Sequence, residues 1–82
     1  MDDLTTIPGV GPSISQDLRD LGYGSVSQLH AEDPQAMYSA LCDLRGVHID
    51  RCVLYVFRCA VYFASHDHHD PELLKWWSWK DV

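Results

Sequence analysis

A glycine-rich turn near the N-terminus constrains this chain more than any other feature of its sequence. Residues 7–13 read Ile-Pro-Gly-Val-Gly-Pro-Ser. Two glycines one residue apart allow a hairpin too tight for side chains, with positive φ open to both. Pro8 fixes φ on the way in, and Pro12 suits the first turn of a following helix, where its missing N–H costs nothing. We therefore expect a short hairpin that presents backbone N–H groups at a helix N-terminus, a geometry that suits a phosphate.

The remainder of the sequence predicts a compact all-α domain of five to six helices. Apolar residues recur at helical spacing, and no segment shows the polar–apolar alternation of a strand. At residues 33–34 and again at 70–71, an aspartate directly precedes a proline. Aspartate is a favourable N-cap residue, and proline is favoured at the first helical position, so each pair predicts the start of a helix. The expected helices span about 3–6, 12–21, a short segment after Ser25, 34–44, 50–65 and 70–80.

The helix at about 50–65 is expected to form the centre of the domain. It is apolar at nearly every position, and Arg58 carries its only charge between Cys52 and Ala64. A helix that is hydrophobic all round is usually buried. The preceding helix is expected to bury Met37, Tyr38, Leu41 and Leu44 against it.

A weak internal repeat divides the chain into two units. Gly9-Val10-Gly11 follows an apolar anchor and precedes a helix, and Gly46-Val47-His48 does the same. Histidine in place of the second glycine makes the second turn less permissive. We therefore interpret residues 1–82 as one domain, with a first hairpin unit at about 3–30, a second unit at about 34–65 and a tryptophan-rich helix at about 70–80.

Composition limits the class of protein. Hydrophobic residues make up 46% of the 82 residues, as in one small globular domain. The N-terminus is acidic and lacks an apolar secretory segment, and no apolar run reaches the roughly 18 residues of a membrane span. Three cysteines without a CxxC pair fit buried, reduced thiols. These features predict a cytoplasmic protein with no membrane partner.

The net charge of −6 argues against simple DNA binding, because proteins that hold phosphates are usually basic. The charge is uneven, however. Residues 1–41 hold six acids and one arginine, whereas residues 42–82 hold six acids and five basic residues. Asp17 and Asp20 lie on the helix that follows the hairpin, and most of the positive charge lies around and after Arg45.

The sequence Gly9-Val10-Gly11-Pro12-Ser13 resembles the helix-hairpin-helix motif of repair polymerases, ligases and nucleases. The resemblance implies DNA binding through backbone N–H groups, which contact phosphates and do not read the base sequence. It also implies that a monovalent cation, K⁺ or Na⁺, is held by backbone carbonyls at Thr5, Ile7 and Val10. The DNA-binding residues that it implies at the hairpin are Gly9, Val10, Gly11, Ser13 and Ile14.

Over nearly its whole length the chain also resembles the small bacterial pathogenicity locus proteins, some of which are called mitomycin-resistance proteins. The matching stretches are 4–11, 17–22, 46–62 and 70–77. The chain is similar, too, to the tandem-hairpin C-terminal domain of a competence regulator. These resemblances imply a SAM-like, tandem helix-hairpin-helix fold with one clear hairpin and a degenerate second copy, and a role in DNA repair.

The turn around Gly46 is a second candidate phosphate contact. Arg45, His48 and Arg51 flank Gly46 and can face the same phosphate track as the hairpin. Alternatively, Arg45 and Arg51 pair with Asp43 and Asp50 at the surface. Exposed ion pairs of this kind contribute only ~0–1 kcal/mol. Both interpretations stay open on the sequence alone.

The aromatic and histidine-rich end of the chain has simpler structural explanations. Trp76 is expected to cover the core with Leu73, leaving Trp77 or Trp79 partly exposed for a partner rather than for base stacking. The histidines in 66–69 have no standard metal-ligand spacing, so we interpret them as an interhelical loop. No set of residues has the context of a catalytic site.

The sequence thus predicts a non-enzymatic module that binds DNA weakly and without sequence preference, through the hairpin and the Gly46 turn. The alternative is a protein-interaction adaptor or a homodimer, which the negative charge and the tryptophan-rich end favour. A hydrolase acting on nucleic acid is a third hypothesis, and it lacks a cluster of carboxylates for a metal ion.

Overall fold

Three α-helices and four single-turn 3₁₀ helices form residues 3–80, the part of the chain that the computed structural model describes, and this part contains no strand. The all-α prediction is therefore confirmed. The α-helices are α1 (Pro12–Asp20), α2 (Pro34–Arg45) and α3 (Cys52–Ser65). The 3₁₀ helices span Leu4–Thr6, Val26–Leu29, Pro71–Leu74 and Trp76–Trp79.

Helix α2 shows how local chemistry sets a helix boundary. The Asp33 carboxylate accepts hydrogen bonds from the backbone N–H groups of Gln35 at 2.9 Å and Ala36 at 3.4 Å, which satisfies two donors that a helix leaves unpaired. At the other end, Gly46 adopts φ 72°, a left-handed conformation that glycine takes without strain. The helix therefore begins where the Asp-Pro pair predicts and ends one residue beyond the expected boundary.

The predicted regular helix at 70–80 is wrong. Asp70 caps a first turn, but the chain becomes extended at Lys75, with ψ 114°, and this residue separates two 3₁₀ helices. Tertiary hydrogen bonds replace helical ones here. The indole Nε1 of Trp79 donates to the Leu73 carbonyl at 2.8 Å, and Arg58 donates to the Trp79 carbonyl at 2.8 Å. Consecutive bulky aromatic residues, which lose rotamer freedom in a helix, favour this arrangement.

Helix α3 lies at the centre of the fold, as its composition predicts. Leu54, Phe57, Cys59 and Ala60 are fully buried, and the helix packs against α2, the second 3₁₀ helix and the C-terminal segment. The other residues of the buried core cluster are Leu4, Ile7, Val10, Leu18, Leu29, Met37, Tyr38, Leu41 and Val56.

Two predictions of burial are wrong. Leu44 shares the core-facing side of α2 but lies in its last turn, beyond the core cluster of the described residues, and is 53% exposed. The three cysteines are free thiols, yet only Cys59 is buried; Cys42 is half-buried and Cys52 is exposed at the start of α3.

Within residues 3–80, no helix has both the length and the apolar character needed to cross a membrane.

Candidate functional site

The hairpin between the first 3₁₀ helix and α1 is a closed turn anchored by apolar side chains. The Ile7 N–H donates to the Leu4 carbonyl at 3.2 Å, and the Val10 N–H donates to the Ile7 carbonyl at 3.1 Å. Ile7 and Val10 are buried, so they hold the turn against the core. Gly9 lies between them at the surface with φ 87°, where a residue with a side chain is strained.

Gly11 differs from Gly9 in both conformation and surroundings. Its φ is −96°, an extended conformation open to any residue, so Gly11 does not use the positive φ that is available to a glycine. A Cβ on Gly11 would have no atom within 4 Å. Nothing in the described part of the chain therefore requires a glycine at position 11.

Helix α1 begins with unpaired backbone donors. Gly11 is its N-cap residue and has no side chain that can accept a hydrogen bond from the first turn. The N–H groups of Gly9, Gly11, Ser13 and Ile14 have no acceptor among residues 3–80. Four of the predicted phosphate-binding positions thus have free backbone donors in the hairpin and the first turn of α1, and those of Ser13 and Ile14 lie at the positive end of the helix dipole. Val10, the fifth, contributes its N–H to the turn itself.

The predicted carbonyl ligands of a monovalent cation lie on the same turn. The Ile7 carbonyl accepts the hydrogen bond from Val10. The carbonyls of Thr5 and Val10 accept none from the residues that the structure describes. Carbonyl oxygens with unused lone pairs suit hard cations, so the donor set fits such an ion.

The C-terminal segment packs against the hairpin, a juxtaposition that no sequence signal reveals. A Cβ on Gly9 would stand 3.1 Å from Cδ1 of Trp76. The buried Cys59 thiol of α3 lies between the two segments, 3.8 Å from the Pro8 carbonyl and 3.4 Å from the Leu74 carbonyl. Burial raises the pKa of this thiol to about 11, so it stays protonated at neutral pH.

The tryptophans divide as predicted between core and surface. Trp76 is partly buried against the core cluster. Trp77 meets the Trp76 ring edge-on, at a centroid distance of 5.7 Å, and is 56% exposed. An exposed aromatic ring therefore lies one side chain away from the hairpin.

Arg45, at the end of α2, contacts the acidic residues of α1. Its Nη2 atom lies 2.8 Å from Asp17 Oδ1 and 2.6 Å from Asp20 Oδ2. These bonds lower the pKa of Asp20 and raise the pKa of Arg45. The alternative that Arg45 pairs with Asp43 is therefore wrong, because its partners lie on another helix.

The Gly46 turn does not repeat the geometry of the hairpin. Five residues separate Gly46 from α3, whereas two separate Gly9 from α1. The Asp50 carboxylate accepts a hydrogen bond from the Cys52 N–H at 2.9 Å, so a carboxylate already lies at the N-terminus of α3. This hydrogen bond, together with one from the Cys52 side chain, lowers the pKa of Asp50. The Arg45 contact places this turn beside the second half of α1 rather than beside the hairpin.

The remaining predicted residues of the turn are exposed but have aromatic neighbours. The His48 ring meets Tyr38 of α2 edge-on at 6.4 Å, and the Arg51 guanidinium lies 5.9 Å from the centroid of the Tyr55 ring on α3. Their side chains thus lie against α2 and α3, while Arg45 contacts α1. The four predicted residues Arg45, Gly46, His48 and Arg51 therefore lie around one turn, but the side chains of the three non-glycine residues contact three different helices and do not converge.

The histidine-rich loop after α3 is held by its own contacts. His69 Nε2 is 2.8 Å from the Phe63 carbonyl, and the two rings stack at 4.7 Å with an interplanar angle of 4°. Residues 3–80 contain no group of three or more His, Cys, Asp or Glu side chains arranged to hold a metal ion.

Comparison with known proteins places the chain in a family. It matches the pathogenicity locus family over residues 1–82, and it belongs to that family. It is similar to the mitomycin resistance protein McrB of Streptomyces lavendulae, with 32% identity over 59 residues, which are 72% of this chain and 56% of that protein. The chain thus spans little more than half the length of this curated relative. No solved structure matches it.

Proposed function

We propose that this protein is a non-enzymatic module that binds DNA phosphates at the hairpin without reading the base sequence, in a fold with one helix-hairpin-helix unit and a degenerate second copy. The observation that carries the proposal is the set of four backbone N–H groups without an acceptor at the uncapped start of α1, those of Gly9, Gly11, Ser13 and Ile14. Such groups, together with the helix dipole, favour an anion. Contacts to phosphate position a protein on DNA and carry no sequence information.

Gly11 supports this proposal because the described chain itself has no need of a glycine there. Its φ is ordinary, and the space that its side chain would fill is open. A glycine also serves where a ligand approaches the backbone closely. The missing side chain is therefore explained by a group from outside the chain, close to the free donors.

The charge distribution supports weak binding. The single positive charge of Arg45 offsets part of the negative charge of Asp17 and Asp20, which repels a phosphate chain along α1. His48 and Arg51 on the Gly46 turn are proposed as secondary phosphate contacts. Arg45 is proposed as a third, through guanidinium nitrogens other than the Nη2 atom that binds Asp17 and Asp20. The net charge of −6 nevertheless predicts an affinity that falls steeply with salt.

A monovalent cation, K⁺ or Na⁺, is proposed as part of the hairpin site. The carbonyls of Thr5, Ile7 and Val10 would hold it, and its charge would attract a phosphate to the adjacent N–H groups. Replacing KCl with tetramethylammonium chloride at equal ionic strength is expected to weaken DNA binding, since that ion is too large for carbonyl ligation. Equal affinity in the two salts contradicts a role for the cation.

Fluorescence anisotropy with a labelled duplex at low salt tests the proposed function with two matched variants. Gly11→Asp adds a negative charge at the hairpin, yet aspartate is a favourable N-cap residue, so the fold is retained. Gly24→Asp adds the same charge in the turn after α1, where a Cβ has only an ordinary contact at 3.6 Å with Gln28. We expect Gly11→Asp to weaken binding at least about tenfold, and Gly24→Asp less than about threefold.

Two outcomes contradict the proposal. Absence of binding by the unaltered protein at ~100 μM, within the usual non-specific range, overturns it outright. An equal loss in both variants shows that net charge alone matters and that the hairpin is not the binding site.

A protein-interaction adaptor or homodimer is the second candidate function. Leu44 is 53% exposed and Val47 is 62% exposed, on either side of Gly46. Exposed apolar side chains grouped in this way are typical of protein interfaces. Sedimentation velocity of the unaltered protein and of a Leu44→Gln variant tests the homodimer: a dimer that the substitution dissociates supports it, whereas a monomer at all concentrations excludes it. A monomer that also captures no partner protein in a pull-down argues against the adaptor.

A further inference from the structure

We infer that the hairpin binds DNA next to an unpaired base, which stacks on Trp77. The inference rests on the proposed function and names its substrate class: single-stranded DNA, or a gap or end at which bases are accessible. It is carried by the packing of the C-terminal segment against the hairpin, which places the exposed Trp77 indole one side chain away from Gly9, one of the residues with a free backbone donor.

A short chain of contacts joins Trp77 to the hairpin. Gly9, in the turn, lies against Trp76, with 3.1 Å between its Cβ position and the indole Cδ1. Trp76 in turn supports Trp77 edge-on at 5.7 Å, with the two rings almost perpendicular at 88°. On the inner side, the Cys59 thiol contacts the carbonyls of both Pro8 and Leu74, so the two segments are held together by the buried core.

The exposure of Trp77 calls for an occupant. Trp76 and Trp79 both use their surfaces within the described chain: Trp76 packs on the core, and Trp79 donates its N–H to Leu73 and contacts the Tyr62 ring at 5.5 Å. Trp77 is instead 56% exposed. Covering a large aromatic surface with a flat apolar partner lowers the free energy, because it removes apolar area from water.

A base is the occupant that the surroundings favour. The neighbouring hairpin offers donors for a phosphate, and Lys75 and Lys80 flank the tryptophans with exposed positive charges. Lys75 is held only by an exposed pair with Glu72 at 3.3 Å, an interaction too weak to keep it from a phosphate. Aromatic rings beside a basic backbone-binding surface are the usual platform for single strands, and they accept any base because every base has a π face.

Unpaired bases are required because of the geometry of a duplex. Inside a duplex, neighbouring base pairs cover both faces of each base, so an indole on the protein surface finds phosphates and groove edges but no free face. A single strand exposes base and phosphate of successive nucleotides together. The same hairpin therefore binds both forms through phosphates, and Trp77 adds affinity for the unpaired form alone.

The test compares a labelled twelve-nucleotide oligothymidine with a labelled duplex at low salt. Trp77→Ala removes the ring and Trp77→Phe keeps an aromatic face. Val26→Ala is the control because it truncates a half-buried apolar side chain in the second 3₁₀ helix, outside the hairpin, the Gly46 turn and the tryptophan-rich segment. We expect Trp77→Ala to weaken oligothymidine binding about fivefold or more. Trp77→Phe should retain most of that affinity, and duplex binding should change less than about twofold in all three variants.

Tryptophan fluorescence supplies an independent readout. Oligothymidine should quench the emission of the unaltered protein, and the quenching should fall sharply in Trp77→Phe, which removes the stacked indole and keeps the other two. Thermal unfolding of each variant separates loss of stacking from loss of fold.

Each contrary result is distinct. Equal oligothymidine affinities for Trp77→Ala and the unaltered protein overturn the inference, while a duplex that still responds to Gly11→Asp leaves the proposed function intact. Self-association that Trp77→Ala abolishes, with DNA binding unchanged, assigns the ring to a protein interface instead. If neither DNA binds, the proposed function fails and this inference fails with it.

Discussion

Gly9 and Trp76 lie so close together that a Cβ on the glycine would stand 3.1 Å from Cδ1 of the indole. The two residues come from opposite ends of the chain, and their contact fastens the hairpin to the C-terminal segment. Gly9 also has φ 87°, which disfavours any residue with a side chain. Conformation and packing therefore both require glycine at this position, in contrast to Gly11.

Gly9→Ala is expected to lower the free energy of unfolding by about 1–3 kcal/mol, because it combines backbone strain with a clash against Trp76. Urea unfolding followed by circular dichroism measures this loss. Gly11→Ser is the matched control, since its φ of −96° accommodates any residue and serine is a favourable N-cap residue. The control should be as stable as the unaltered protein. A similar loss in both variants would contradict the distinction drawn between the two glycines.

Arg45→Ala is expected to lower the Tm at neutral pH, because it leaves Asp17 and Asp20 without their shared partner. Hydrogen bonding to Arg45 lowers the pKa of Asp20 below its ordinary value of 3.8. A carboxyl with a lower pKa in the folded state stabilises the fold above its unfolded-state pKa and loses this effect as the pH falls.

The difference in Tm between Arg45→Ala and the unaltered protein should therefore be largest near pH 7. It should shrink as the pH falls below 3.8, the ordinary carboxyl pKa, and it should also shrink in 1 M NaCl, which screens exposed charges. Arg51→Ala removes the same charge from a residue that lies over the Tyr55 ring, and its effect should show no such dependence on acid. A pH-independent difference for Arg45→Ala would refute the role assigned to its ion pairs.

The buried Cys59 thiol predicts a loss of stability at alkaline pH. Burial raises its pKa from 9.0 to about 11, whereas the unfolded chain loses this proton near pH 9. The thiol therefore contributes fully to stability below pH 9 and loses that contribution as the pH rises toward 11, by a little over 1 kcal/mol per pH unit.

Comparison of the unaltered protein with Cys59→Ala isolates this effect, because the other groups that titrate in alkali are common to both. Under reducing conditions, the free energies of unfolding should converge between pH 9 and 11. A constant difference over that range would mean that the thiol titrates at its ordinary pKa in the folded protein.

Cys52 is exposed at the start of α3, and its hydrogen bond with the Asp50 side chain raises its pKa. Asp50→Asn removes the carboxylate charge but keeps an oxygen that can accept from the Cys52 N–H. We therefore expect the folded Asp50→Asn variant to react a few-fold faster than the unaltered protein with a thiol reagent at pH 8, since its thiolate fraction at Cys52 is larger. Cys52→Ala identifies the contribution of this residue, and an unchanged rate in Asp50→Asn would contradict the assignment.

Local chemistry explains why most helix boundaries could be predicted. Aspartate caps, prolines at the first helical position and glycines at helix ends act within a single turn, so α1 and α2 begin at the predicted prolines. The helix expected at 70–80 fails because its course depends on distant groups, the Trp79 carbonyl that accepts from Arg58 among them. Helical spacing predicts that Leu44 is buried, because spacing identifies the side of α2 that faces the core. Spacing does not show how far the core extends along the helix, and Leu44 lies beyond it.

A helical chain around an apolar α3 and a tight turn at Gly9 can be read from the residues themselves, because glycine and proline act on their own backbone angles and apolar residues leave water together. Three features emerge only in the folded molecule: Arg45 pairs with both Asp17 and Asp20, the fold requires glycine at position 9 but not at position 11, and Trp76 packs against the hairpin with Trp77 beside it. Each of these depends on side chains from distant segments meeting at contact distance, and neither spacing nor composition encodes such meetings.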